Sequence, residues 1–225
     1  MNSWEKIMVI AVHPDDETLG CGGTLLRLGA MGRELAWVIV TNTDDSAIFS
    51  KEYTQKRVGE IERVKQAYGF SKTYQLPFDA GSLEGIPKID IVNAINKAVR
   101  EFQPDTIFLP YPWDIHKEHQ ATFEAALACT KVFRNPFIKR VILMETPSET
   151  DFVPANVVQP FTPNLFVNIT GHLEQKLDVM KIFESEVLPH PFPRSLDSIR
   201  ALAVYRGGQA GCAAAESFMV IKEII

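Results

Sequence analysis

Ile7-Met8-Val9-Ile10-Ala11-Val12-His13-Pro14-Asp15-Asp16-Glu17-Thr18-Leu19-Gly20-Cys21-Gly22-Gly23 is the stretch on which the reading of this 225-residue chain turns. Six apolar residues in succession read as a strand buried on both faces, as in a parallel sheet, and the residues from Thr18 to Met31 read as a helix ending near Gly32. One imidazole and three carboxylates therefore stand at the carboxyl end of a strand, where open α/β sheets build their ligand sites. The pattern recurs further along: Thr106-Ile107-Phe108-Leu109 is a second strand-like run, followed by His116-Lys117-Glu118-His119. Two strand ends delivering His, Asp and His make a metal site the leading expectation.

Around these two strands the chain alternates. Strand patterns at Glu34 to Val40, Thr73 to Leu76 and Val141 to Met144 are separated by helical patterns at about Thr54 to Tyr68, Ile89 to Phe102 and Gln120 to Val132. Such alternation predicts a parallel sheet with helices on both sides. From Pro147 to Pro163 the periodicity lapses into a long, proline-punctuated ordered loop. Leu165 to Ile169 reads as a short strand and Gly171 to Val187 as a helix. The rigid segment Leu188-Pro189-His190-Pro191-Phe192-Pro193 comes next, then a helix capped by Ser195 and running through Val204, and a last strand from Ser217 to Ile224. No repeat or flexible linker interrupts the chain, so residues 1–225 read as one domain.

Composition narrows the function. A net charge of −5 gives no electrostatic support for nucleic-acid binding. No apolar run reaches the roughly 18–20 residues of a membrane span, and the N-terminus carries no signal-peptide pattern. Cys21, Cys129 and Cys212 are odd in number and widely spaced, which reads as three buried thiols in a reducing compartment. A soluble cytoplasmic protein is expected.

A hydrolytic zinc site takes three protein ligands and leaves a fourth position for water. His13, one of the two aspartates and one histidine of the second motif supply that set. The metal lowers the pKa of its water towards ~7, and a nearby carboxylate takes the proton. If the loop already turns helically, His13 and Asp16 share a face as i and i+3 residues, which makes Asp16 the ligand and Asp15 the base; the sequence leaves that order open. Proline and acids at a helix start also occur where nothing but capping is needed, yet capping leaves His13 and the glycines unexplained. Gly20, Gly22 and Gly23 each cost up to ~1 kcal/mol in a helix, which implies close packing or a ligand near the backbone. A dinucleotide site is excluded, because Asp15, Asp16 and Glu17 would crowd the place where pyrophosphate must sit. His172 and His190 read as structural or solvent-facing, lining of a substrate cleft being the alternative for His190.

Residues 11–23, together with His116-x-x-His119, resemble the signatures of the LmbE-like, or PIG-L-type, zinc de-N-acetylases. Arg57-Val58-Gly59-Glu60 and the run from Arg206-Gly207-Gly208 to Ala215-Glu216-Ser217-Phe218 are similar to further family patterns. The resemblance implies a Rossmann-like three-layer α/β/α fold with a mostly parallel sheet and the active site at the carboxyl ends of the strands. It implies that His13, Asp16 and His119 bind Zn2+, a ligand set that accepts other divalent metals too. Asp15 would activate the zinc-bound water, and zinc and His116 would stabilise the oxyanion, with Asp15 or His116 protonating the leaving amine. Arg57 and Asp79 would bind the substrate, although Arg57 reads equally well as a helix-surface ion pair with Glu60. The implied reaction removes an acetyl group from an N-acetylated amino sugar or sugar conjugate, in a homo-oligomer. The alternatives are a zinc amidase acting on a non-sugar N-acyl amine and a non-catalytic metal- or sugar-binding module. Glu118, Glu186 after Ser185, and Asn168 depart from residues common in the family.

Overall fold

The computed structural model describes residues 4–43 and 49–225; residues 44–46 of the polar run after the second strand lie outside them. Strand β1 (Lys6–Ala11) leads into helix α1 (Asp16–Ala30), and β2 (Glu34–Asn42) into α2 (Lys51–Tyr68). They are followed by β3 (Lys72–Asp79), α3 (Lys88–Phe102), β4 (Thr106–Leu109), α4 (Lys117–Cys129), β5 (Arg140–Met144), β6 (Leu165–Asn168), α5 (Leu173–Met180), α6 (Leu196–Ala210) and β7 (Ala215–Glu223). All seven strands form one sheet in the order β3-β2-β1-β4-β5-β7-β6. β7 runs antiparallel to both β5 and β6, and the other pairings are parallel.

The two-sided burial expected of β1 is met residue by residue. Ile7, Val9 and Ala11 join a core with α1, α2, α5 and α6, while Met8, Ile10 and Val12 join a second core with α3 and α4. Period-2 alternation in a wholly apolar strand thus fills both outer layers of an α/β/α sandwich. Among the described residues, no helix is long and apolar enough to cross a membrane.

α1 is broken at Cys21, whose φ of −146° is not helical. The two groups that an unbroken helix would join, Leu19 C=O and Gly23 N–H, are taken up from outside. Lys176 Nζ donates to Leu19 O at 2.9 Å, and Glu216 accepts from Gly23 N and Thr24 N at 2.8 and 2.7 Å. Lys176 and Glu216 are themselves paired at 2.7 Å and buried. The glycines here serve close packing: a Cβ on Gly23 would lie 2.7–2.9 Å from three Ile169 atoms.

Several boundaries differ from the sequence expectation. The helix expected to reach Val187 stops at Met180, because Ile182 N and Phe183 N bond back only three residues, to Val179 O and Met180 O. These tight turns bury Phe183 and carry Ser185 and Glu186 towards Arg57. α6 is capped by Ser195, as expected, but continues past Val204 to Ala210. Its Gly207 is a contact point rather than a stop, since a Cβ there would meet the 212–214 backbone at 2.7–2.8 Å. Gly211, at φ +69°, ends the helix. Cys21 and Cys129 are buried as expected and Cys212 is half-buried; all three are free.

Candidate active site

Neighbouring strands β1 and β4 leave the sheet in opposite directions, β1 towards β2 and β4 towards β5. The crevice beyond their carboxyl ends is the switch point at which open α/β sheets bind ligands. The turn after β1 brings His13, Asp15 and Asp16 there, and the turn into α4 brings His116 and His119. Ligand atoms of His13, Asp16 and His119 lie within 4.8 Å of one another.

Asp16 is the hub. Its Oδ2 accepts from Val12 N at 3.0 Å and His13 N at 2.9 Å, and lies 3.3 Å from His119 Nε2 and 3.7 Å from His13 Nδ1. The far nitrogen of each histidine meets a carboxylate: His119 Nδ1 bonds Asp114 Oδ2 and His13 Nε2 bonds Glu118 Oε2, both at 2.9 Å. An imidazole whose outer N–H is held by a carboxylate presents its other nitrogen as a metal ligand. Three such donors beside an open cavity fit a divalent cation with a fourth position free. Burial opposes the charge on Asp16, yet His119 and His13 hold its carboxyl well below the usual range. Burial also disfavours a charged His119, but Asp16 and Asp114 outweigh it and raise the ring in the metal-free protein.

Asp15 is turned differently. It precedes α1 at φ 148°, a conformation rare outside glycine. Its Oδ2 accepts from Arg194 Nη1 at 2.9 Å. Burial, with Asp16 adding, pushes its carboxyl up to about 7 against the pull of Arg194. His116 caps α4, with its Nδ1 accepting from Glu118 N at 3.2 Å. A neutral ring in that tautomer carries its proton on Nε2. Burial and the neighbouring histidines lower its pKa, which favours the neutral ring as a donor.

The cavity is about 270 Å³ and is lined by His13, Asp15, Asp16, His116 and Arg57, among others. Arg57 and Glu60 do pair, at 3.3 Å, but the pair is buried rather than on the helix surface. The same guanidinium reaches Ser185 and Glu186. Asp79 ends β3 one residue before Ala80, which lines the cavity; Asp79 itself is not among the lining residues. His190 is exposed and outside the lining, whereas Arg194, four residues on, lines it. Sequence reasoning passed over Asp114, Glu149 and Arg194, which lie in aperiodic loops. The proline-rich run before Arg194 was the available signal.

The family model described as GlcNAc-PI de-N-acetylase, PIG-L, matches residues 8–130. The diacetylchitobiose deacetylase of Thermococcus kodakarensis is 24% identical over 230 residues, covering 99% of this chain and 85% of that protein. Among solved structures, N,N'-diacetylchitobiose deacetylase from Pyrococcus horikoshii superposes with a TM-score of 0.78 at 24% identity, over 98% of this chain and 85% of the other. The 4-carboxy-2-hydroxymuconate hydratase of Pseudomonas putida superposes with a TM-score of 0.76 at 14% identity, over 98% of each. A deacetylase and a hydratase share this architecture, so the fold alone does not select a reaction. The family match does more, because it contains His13, Asp15, Asp16, His116 and His119 within over half of the chain; this protein belongs to the PIG-L family of de-N-acetylases.

Proposed function

We propose that the protein is a metal-dependent hydrolase that removes the acetyl group from an N-acetylated amino sugar or sugar conjugate. The carrying observation is that His13 and Asp16, whose donor atoms cluster with that of buried His119, line a cavity together with Asp15 and His116. The name of the relative from Thermococcus kodakarensis supports an N-acetylated sugar as substrate. Zinc is the proposed metal on the ligand set and the family resemblance. The continuous sheet supports a single domain, and three free thiols support a reducing, cytoplasmic setting.

A divalent metal held by His13, Asp16 and His119 supplies Lewis-acid polarisation of the amide and makes water more acidic. Asp15 takes the proton of the attacking water, its carboxylate lining the cavity beside the donor set. His116 donates from Nε2 to the developing oxyanion. Asp15 then returns its proton to the leaving amine. Arg57 orients the sugar from the cavity wall, and Asp79 binds hydroxyls of a substrate that extends past Ala80.

Acetate release measured across N-acetyl sugars and N-acyl amino acids tests the substrate class. Asp15→Asn abolishes turnover with metal retained, and His119→Ala loses the metal. Zinc loss in Asp15→Asn would make Asp15 a ligand, and unchanged zinc in His119→Ala would sink the assignment.

A further inference from the structure

We propose that Arg194 is a positioning residue for Asp15: it holds one carboxylate oxygen so that the other is presented to the reaction. The inference rests on the reading of Asp15 as general base. Hydrogen bonds fix the Asp15 backbone, whose N–H donates to the Glu17 side chain at Oε2, 3.1 Å away, and whose C=O accepts from Thr18 N and Leu19 N at 2.9 and 2.8 Å. None of these orients the carboxylate. Among the described residues, Arg194 is the side chain that donates to it, from Nη1 to Oδ2 at 2.9 Å. Oδ1 is thereby left as the atom that takes the proton.

The guanidinium is itself immobilised. Nε donates to Ser148 Oγ at 2.9 Å, Nη1 also reaches Glu186 Oε2 at 3.2 Å, and Nη2 lies 3.5 Å from Glu149 Oε1. Glu186 is in turn paired with Arg57. A planar fork can serve several acceptors at fixed angles, which an ammonium cannot. The segment that delivers it is stiff, because Pro189, Pro191 and Pro193 each restrict φ. Ser195, buried next in sequence, caps α6 through a 3.1 Å bond from Ser198 N. The proline-rich run thus acquires a function: it carries a rigid arm across the cavity to the base.

The test uses the zinc-loaded full chain, with acetate release from N-acetylglucosamine and N,N'-diacetylchitobiose as the readout. Arg194→Met is expected to lower kcat roughly 100-fold, the cost of a misplaced catalytic group, with KM and zinc content unchanged. Arg194→Lys recovers only part of kcat. Guanidinium chloride at a non-denaturing concentration partly rescues Arg194→Met but not Asp15→Asn. A raised KM with kcat intact would make Arg194 a substrate contact and overturn the proposal, as would an unaltered kcat. If Arg194→Met fails to fold, full activity in a folded Arg194→Lys overturns it equally. Wild-type protein that releases no acetate defeats the function reading and this inference with it; active wild type with an indifferent Arg194 defeats this inference alone.

Discussion

Replacing Asp114 by asparagine alters one buried atom and disturbs two contacts. The side chain is fully buried; Oδ2 faces His119 Nδ1 and Oδ1 accepts from His116 N, both at 2.9 Å. Asparagine has the same outline but offers one acceptor and one donor group in place of two acceptors. If its oxygen turns to His119, the amide N–H₂ confronts the His116 N–H. If it turns to His116, the N–H₂ confronts Nδ1, and the ring must carry its proton on Nε2, where the metal binds. The first orientation strands the buried His116 N–H, at about 1–3 kcal/mol of stability, and the second blocks the metal-binding nitrogen. Losing the carboxylate partner of a ligating histidine costs roughly 10–100-fold in metal affinity. That factor is about 1.4–2.7 kcal/mol. Zinc titration against a chromophoric chelator reads the affinity, and melting curves with and without zinc read the stability. Wild-type zinc affinity in Asp114→Asn would refute the argument. It would refute it even with a lowered melting temperature, because Asp114 would then only brace the loop.

Lys176→Met leaves Glu216 buried without its partner and Leu19 O without its donor, and should cost about 3–5 kcal/mol in a denaturant titration. Full stability would show that the break in α1 needs no plug. Gly23→Ala drives a methyl against Cδ1, Cβ and Cγ2 of Ile169 and should lower stability by about 1–3 kcal/mol; Ile169→Ala in the same chain removes two of those three atoms and should recover part of the loss. Burial pushes Glu17 up to about 8 from 4.5, so the metal-free folded state holds a proton that the unfolded chain gives up. Its contribution is therefore full below pH 4.5 and is lost as pH rises towards 8. Glu17→Gln keeps the neutral shape, and melting curves across pH should show the variant gaining on the wild type over that interval. Parallel curves would mean that Glu17 is ionised in the fold.

The parts of the fold that were legible are those in which periodicity is a local consequence of burial. β1 and β4 are short apolar runs with polar ends, and both of their site motifs were visible because ligands cluster just past a strand. The antiparallel course of β7 was not legible, since its partners β5 and β6 lie far off in sequence. The early end of α5 depends on Phe183 finding a buried place, which no helical pattern records. Asp114 and Arg194 were missed because a single charged residue in a loop carries no period. Their importance appears only when the fold brings Asp114 to His119 and Arg194 to Asp15. The glycine run was read as a sign of close approach, and Met144, Tyr68 and Ile169 are the surfaces approached.

The backbone angle of Asp15 sets durability against chemistry at one position. A non-glycine residue held in such a region costs of order 1–3 kcal/mol, and here its carboxyl is also buried beside Asp16. Asp15→Gly relieves both burdens and removes the base. A library of this chain sorted only for heat resistance should therefore enrich Asp15→Gly and drift towards inert, hardier proteins. Any effort to toughen this scaffold must screen for turnover at every round.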